Sequence, residues 1–272
     1  MSTIRTISPD RGVLTVNFSE IWSRRELLYF LVWKEVKIRY KQTSVGALWA
    51  VLQPLLTMIV FTVIFGGVAK IDTGGIPYPI FVYPGLLLWT YFASSITYSY
   101  SSMVANANLL TKVYFPRILL PLSACIVPLV DYCIAFVVLI GLMVYFQVAF
   151  TISLALLLVT LLLTVLLACG LGFWLSAVSA KYRDVYFIVP FFVQLLLFAT
   201  PIIYPLSLAG NLQTLLYLNP LTGIITAQRD FVLGTRILDW TPLAISAVIS
   251  VLVFVGGALY FTYYEREIVD VI

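Results

Sequence analysis

The sequence predicts an all-α polytopic membrane protein, and three observations carry that expectation. Of 272 residues, 62% are hydrophobic and only 10% charged, with a mean hydropathy of +1.04, a composition beyond that of soluble domains. The apolar runs are long and do not alternate. In hydrocarbon, where backbone polar groups must be satisfied internally, such runs favour helices over a closed barrel. Finally, Lys and Arg gather on one side of the predicted spans.

The first twenty residues lack the apolar stretch of a cleavable signal and are read as a polar extension, residues 1–20, with nothing processed off. Residues 21–44 follow as an amphipathic helix. Tyr29, Val32, Trp33, Val36 and Tyr40 recur at helical spacing, while Lys34, Lys37 and Lys41 collect on another face. This pattern suits a helix in the cytoplasmic interface, its aromatic rings at headgroup depth and its lysines toward lipid phosphates or a partner. A plain topology anchor without a partner is the competing reading.

Residues 45–272 form the transmembrane domain. Six spans are expected at about Gly46–Ala69, Ile80–Val104, Ile118–Phe146, Ile152–Ala177, Tyr186–Tyr204 and Trp240–Tyr264, the fifth of them short. The turn NANLLTKVYFPRILLPL between spans two and three is too apolar for a solvated loop, and AKYRDVY between four and five is brief. Between spans five and six, two apolar patches split by Asn219 and Pro220 are each too short to cross. A re-entrant outer segment of two half-helices, carrying Arg229 and Asp230, is expected there.

Six spans put both termini on one side. Arg5, Arg11, Arg24, Arg25, Lys34, Lys37, Arg39, Lys41, Lys112, Arg117, Lys181, Arg183 and Arg266 fall on that side, leaving Lys70, Arg229 and Arg236 for the other. By the positive-inside rule both termini are cytoplasmic.

No catalytic centre is legible. The chain has no His, no phosphate-binding glycine loop, no dinucleotide fingerprint and no paired acids, so neither a cofactor nor a metal is expected. Cys125, Cys133 and Cys169 lie within spans and read as free buried thiols. Asp131, midway along the third span, needs a partner; a hydrogen-bonded structural role and ion coupling both fit. In the second span Tyr91, Ser94, Ser95, Tyr98, Ser101 and Ser102 make a hydroxyl and aromatic face. It is either a close-packing seam or the border of a path for a neutral polyhydroxylated substrate, with Tyr91, Ser94, Tyr98 and Ser101 as the candidate channel residues.

Four ordered blocks, RYKQTSVGALWAVLQPLLTMIVFTVIFG, NANLLTKVYFPRILLPL, KYRDVYFIVP and LNPLTGIITAQRDFVLG, resemble the permease subunits of ABC-2 type polysaccharide exporters, the O-antigen, capsule and teichoic-acid group. The resemblance runs from Arg24 to the C-terminus. It implies a homodimer in the bacterial inner membrane, two separate cytoplasmic ATPase subunits that bind ATP and magnesium, and an undecaprenyl-linked glycan as cargo. No nucleic-acid partner is expected. It further implies that Lys34, Lys37, Arg183 and Asp184 couple to the ATPase. Arg39, Lys41, Lys112 and Arg117 would meet the lipid pyrophosphate at a cytoplasmic gate helix within the NANLLTKVYFPR block. A small-molecule exporter of the same class and a membrane enzyme acting on lipid-linked sugars are the alternatives; the scarcity of acids and the absence of His weigh against the second.

Overall fold

A computed structural model of the chain describes residues 18–41, 46–234 and 240–265. Most of the polar extension, together with Arg236 and Arg266, lies outside the described residues.

The described residues form helices and turns, without strands. Two helices, α1 (Phe18–Ser23) and α2 (Arg25–Lys41), precede the apolar part. Helix α3 (Leu48–Phe61) runs on as a π-helical segment, Thr62–Val68. Next come α4 (Tyr78–Ala105), the single turn α5 (Ala107–Leu110) and α6 (Leu119–Tyr145). A 3₁₀ turn, Ile152–Leu156, leads into α7 (Leu157–Lys181), and α8 (Val185–Ala199) follows. Beyond a second 3₁₀ segment, Leu206–Leu212, lie α9 (Gln213–Leu216), α10 (Pro220–Leu233) and α11 (Trp240–Tyr264).

Five segments are long and apolar enough to cross a membrane: Leu48–Val68, Tyr78–Ala105, Leu119–Tyr145, Ile152–Lys181 and Trp240–Tyr264. They match five of the six expected spans. The fifth expected span, Tyr186–Tyr204, is cut short: α8 has 15 residues, about 22 Å at 1.5 Å per residue. It stops because Thr200 precedes Pro201, whose ring disfavours the helical conformation there, and Thr200 is extended (φ −96°, ψ 137°).

Helix α4 is the centre of the bundle. Ile80, Val82, Tyr83, Leu86, Leu87, Leu88 and Ile96 are almost wholly buried, so it is covered on nearly all sides along its first five turns, by α6, α7 and α10. Helices α7 and α11 approach until backbone meets backbone. A Cβ on Gly170 would lie 2.6 Å from the Cα of Phe254, and one on Gly257 would strike the carbonyl of Gly170. This is the use of small residues where helices lack a hydrophobic driving force toward one another. By contrast, the spans at the edge, α3 and α8, leave Ile59, Val63, Phe187, Phe191 and Phe192 exposed.

Candidate functional site

The site is built from the inner edge of α2, one side of α4 and the middle of α6. Along α2 the residues turned inward are Leu27, Leu28 and Leu31, which pack against Phe115, Ile118 and Leu119 at the start of α6. The aromatic face expected at headgroup depth, Tyr29 and Trp33, is exposed on this chain, its rings stacked at 6.5 Å and 6°. A second apolar stripe, of leucines, shares the helix and is the one that packs into the core. Lys34, Lys37 and Lys41 border a shallow groove with Phe30, Trp33 and Ile38. Lys34 also donates to Asn106 Oδ1 at 3.1 Å, tying α2 to the end of α4, and lies 3.4 Å from Glu35.

Two turns beyond Leu31, the same helix reaches Asp131. Arg39 Nη1 lies 2.5 Å from Asp131 Oδ2, and the Tyr40 hydroxyl donates to the other carboxylate oxygen. The guanidinium carbon of Arg39 also lies 5.0 Å over the Tyr98 ring, a cation–π contact. Burial, and next the hydrogen bond to Asp131, push the Tyr40 phenol well above its ordinary pKa. Since Leu31 meets the first turn of α6 and Arg39 meets a residue three turns further in, α2 climbs along α6 rather than lying across its end. The intramembrane acid is therefore paired, with partners supplied by a helix that sequence had placed at the interface.

The hydroxyl and aromatic face of α4 divides in two. Tyr91 is 2% exposed, donates to the Cys125 carbonyl at 3.2 Å and meets Tyr132 edge-on. Ser99 and Ser102 are likewise buried, against Pro121 and Ser176. These side chains are in packing contacts, and Tyr91, expected to border the channel, is buried and lines a small cavity of this chain. Ser94 and Ser101 are half-buried and Tyr98 is 38% exposed, so the open part of the face is the stretch beside Arg39. Ser94 also borders a small cavity with Pro54, Thr90, Tyr91 and Asp131.

The remaining basic candidates disperse. Lys112 is exposed in the turn after α5. The expected gate helix reduces to the four residues of α5 and that turn. Arg117 faces the end of α11: its guanidinium donates to the Glu265 carbonyl at 2.7 Å, and its backbone N–H to Glu265 Oε1 at 2.8 Å. It thus ties the chain just before α6 to the end of α11, and its guanidinium, expected to meet a lipid diphosphate, is engaged there. Arg183 and Asp184 are exposed in the tight turn between α7 and α8.

At the opposite end of the bundle, the Asn219 side chain caps α10 by accepting from the Leu221 N–H at 3.1 Å, and its amide donates to Thr200 Oγ1 at 2.9 Å. Pro220 occupies the first helical position, where its missing N–H costs nothing. Arg229, expected in the re-entrant outer segment, is 5% exposed and wedged into the fold; Asp230 beside it is half-buried. The Arg229 guanidinium donates to the carbonyls of Phe81, Pro201 and Ile202, each at 3.0 Å, and lies 3.7 Å over the Phe81 ring. Tyr78 donates to Ile203 O at 2.7 Å. Unwound backbone after α8 thereby finds its donors, as an apolar surrounding demands. The neighbouring Gln228 accepts from Thr160 at 2.5 Å and donates to Pro84 O at 3.2 Å, joining α10 to α7 and α4.

Cys125 and Cys169 are buried free thiols as expected, whereas Cys133 is exposed on α6. Among the described residues no cluster of His, Cys, Asp and Glu could hold a metal ion. Gln228 and Glu265 were passed over in the sequence, and Tyr40 was read only as part of the aromatic stripe of α2, with nothing local to pair it with Asp131.

A profile of the family described as ABC-2 type transporter matches residues 26–233. An O-antigen export system permease protein RfbA of Myxococcus xanthus is 30% identical over 254 residues, covering 92% of this chain and 97% of the relative. A protein of the same name from Klebsiella pneumoniae is 30% identical over 234 residues, 85% and 86% of the two chains. A polysialic acid transport protein KpsM of Escherichia coli is 26% identical over 236 residues, 85% and 91%. A profile match across most of the length, with full-length relatives and the helical bundle described above, places the chain in the ABC-2 type transporter family as a multi-pass permease of the polysaccharide-export kind.

Proposed function

We propose that this chain is the transmembrane half of an exporter that moves an undecaprenyl-linked O-antigen polysaccharide outward across the bacterial inner membrane. The observation that carries the reading is the match over 97% of an O-antigen export permease. In this reading two copies assemble, α8 completes a sixth crossing with the extended residues after Ala199, and both termini are cytoplasmic. The segment around α9 and α10 re-enters from the outer face. Two cytoplasmic ATPase subunits supply the energy through the exposed lysines of α2 and the Arg183–Asp184 turn, and their closure biases the bundle between shut and open forms.

The geometry adds how a neutral polymer would be handled. Tyr98, with Ser94 and Ser101, offers a ring for stacking and two hydroxyls on the open side of α4, and several shallow contacts suit a chain that must slide. Arg39, Lys41 and Lys112 are the cations at hand for a lipid-borne diphosphate; Arg117 is held by Glu265. Capsular polymer is the second reading, favoured by the likeness to the polysialic acid transport protein. Deleting the chain and fractionating surface glycan tests both. Loss of lipopolysaccharide-linked polymer supports the first, loss of capsule alone the second, and unchanged surface glycan refutes both.

A further inference from the structure

Arg39 is the end of a basic helix, yet its guanidinium is turned inward onto a carboxylate. Arg39 and Asp131 side chains are 29% and 14% exposed, so the pair is partly desolvated and still open on one side. That opening adjoins Tyr98, the exposed ring of the α4 face, over which Arg39 lies. Tyr40 supplies a hydroxyl to the same carboxylate. A guanidinium held over a tyrosine ring and a phenolic O–H make a site for an oxyanion, and guanidinium binds carboxylate and phosphate through the same two-pronged geometry. Here the oxyanion is the chain's own.

We infer that Asp131 is a resident carboxylate holding an anion site formed by Arg39, Tyr40 and Tyr98, and that a diphosphate displaces it. Exchange breaks the Arg39 and Tyr40 contacts to Asp131, which tie the end of α2 to the middle of α6. This rests on the proposed lipid-linked cargo only for the source of the diphosphate; the exchange itself rests on the geometry. A phosphate entering the site brings at least as much charge as the carboxylate it replaces, so Arg39 keeps a counter-charge, and the displaced Asp131, now beside a like charge on the open side of the pair, takes up a proton from water.

The test uses the full-length chain in phosphatidylcholine nanodiscs and reads binding by ligand-dependent thermal stabilisation. The probes are undecaprenyl diphosphate, undecaprenol and inorganic pyrophosphate. Asp131→Asn removes the competitor, and the apparent Kd for the diphosphate should tighten about tenfold, the scale of a lost charge-assisted contact at a partly exposed site. Tyr40→Phe, which takes one donor from the resident carboxylate and the incoming diphosphate alike, should leave the Kd within about twofold. Arg39→Gln should abolish the response alone and combined with Asp131→Asn. Undecaprenol should be indifferent to every substitution. A response to undecaprenyl diphosphate names the lipid as the source, and an equal one to pyrophosphate names the free anion; either supports exchange. If neither Asp131→Asn nor Asp131→Ala tightens a diphosphate, the pair is a fixed strut and the inference falls, while the export reading stands on its own glycan assay.

Discussion

Replacing Arg229 by alanine should be among the most damaging single changes in this chain. The side chain is buried and serves three carbonyls, on Phe81, Pro201 and Ile202, while lying over the Phe81 ring. Removing it leaves those acceptors in an apolar setting where unpaired polar groups cost about 1–3 kcal/mol each. Cavity formation adds to this, and partial repair by water or backbone shift subtracts, so a net loss of about 3–5 kcal/mol is expected. At about 2–4 °C per kcal/mol for a chain of this size, the melting midpoint should fall by about 10 °C. The assay is fluorescence-detected gel filtration of the detergent-solubilised chain after graded heating. Arg229→Lys keeps the charge but cannot reach three carbonyls on two segments, and should recover less than half of the loss. Tyr78→Phe, which frees only the Ile203 carbonyl, should cost about 1–2 kcal/mol. An alanine variant melting within about 2 °C of wild type would refute the assignment of Arg229 as the donor that allows α8 to end early.

Three further outcomes follow from the structure. Tyr98→Ala should lower surface glycan with little change in melting, whereas Tyr91→Ala should cost about 3–5 kcal/mol as a core cavity and lose accumulated protein first; the reverse pattern would put the path on the buried side. Gly170→Val should prevent accumulation in the membrane, because its Cβ meets the α11 backbone at 2.6 Å, while valine at Gly141, where nothing lies within 4 Å, should be tolerated; equal yields would show that the α7–α11 crossing is slack. Charge reversal at Lys34 and Lys37 should weaken copurification with a coexpressed ATPase subunit more than reversal at Lys70, and equal effects would favour a role in lipid anchoring.

Much of this architecture is legible because a membrane simplifies the code. Runs such as LLVTLLLTVLLACGLGFWL can only be helices, and Thr200-Pro201 and Asn219-Pro220 carry their own stop and start signals. The site was less legible because its parts meet through the fold. Tyr91 and Tyr98 are seven residues apart and share one face of α4. Cys125 and Tyr132 of α6 cover the first ring, while Arg39 of α2 approaches the second and leaves it partly open. Periodicity reports the face and not its neighbour. Arg229 shows the same limit: positive-inside counting treats an Arg as a topological marker, and nothing local says that its five donors will be spent on broken backbone. Asp131 was half readable, since a lone mid-span acid announces that a partner exists without saying which.

The short α8 also bears on the lipid beside it. At about 22 Å it falls well below the roughly 30 Å of hydrocarbon, while α4 and α6 run to about 40 Å and can cross at a tilt. In the proposed six-crossing arrangement the helical apolar belt is therefore uneven around the circumference, and acyl chains next to Phe187, Phe191 and Phe192 would shorten or bend to match it. A bilayer drawn thin on one flank is also weakest there. That flank is the least costly place for a lipid with an oversized polar head to tip its headgroup toward the protein, and its width depends on acyl length in the host membrane.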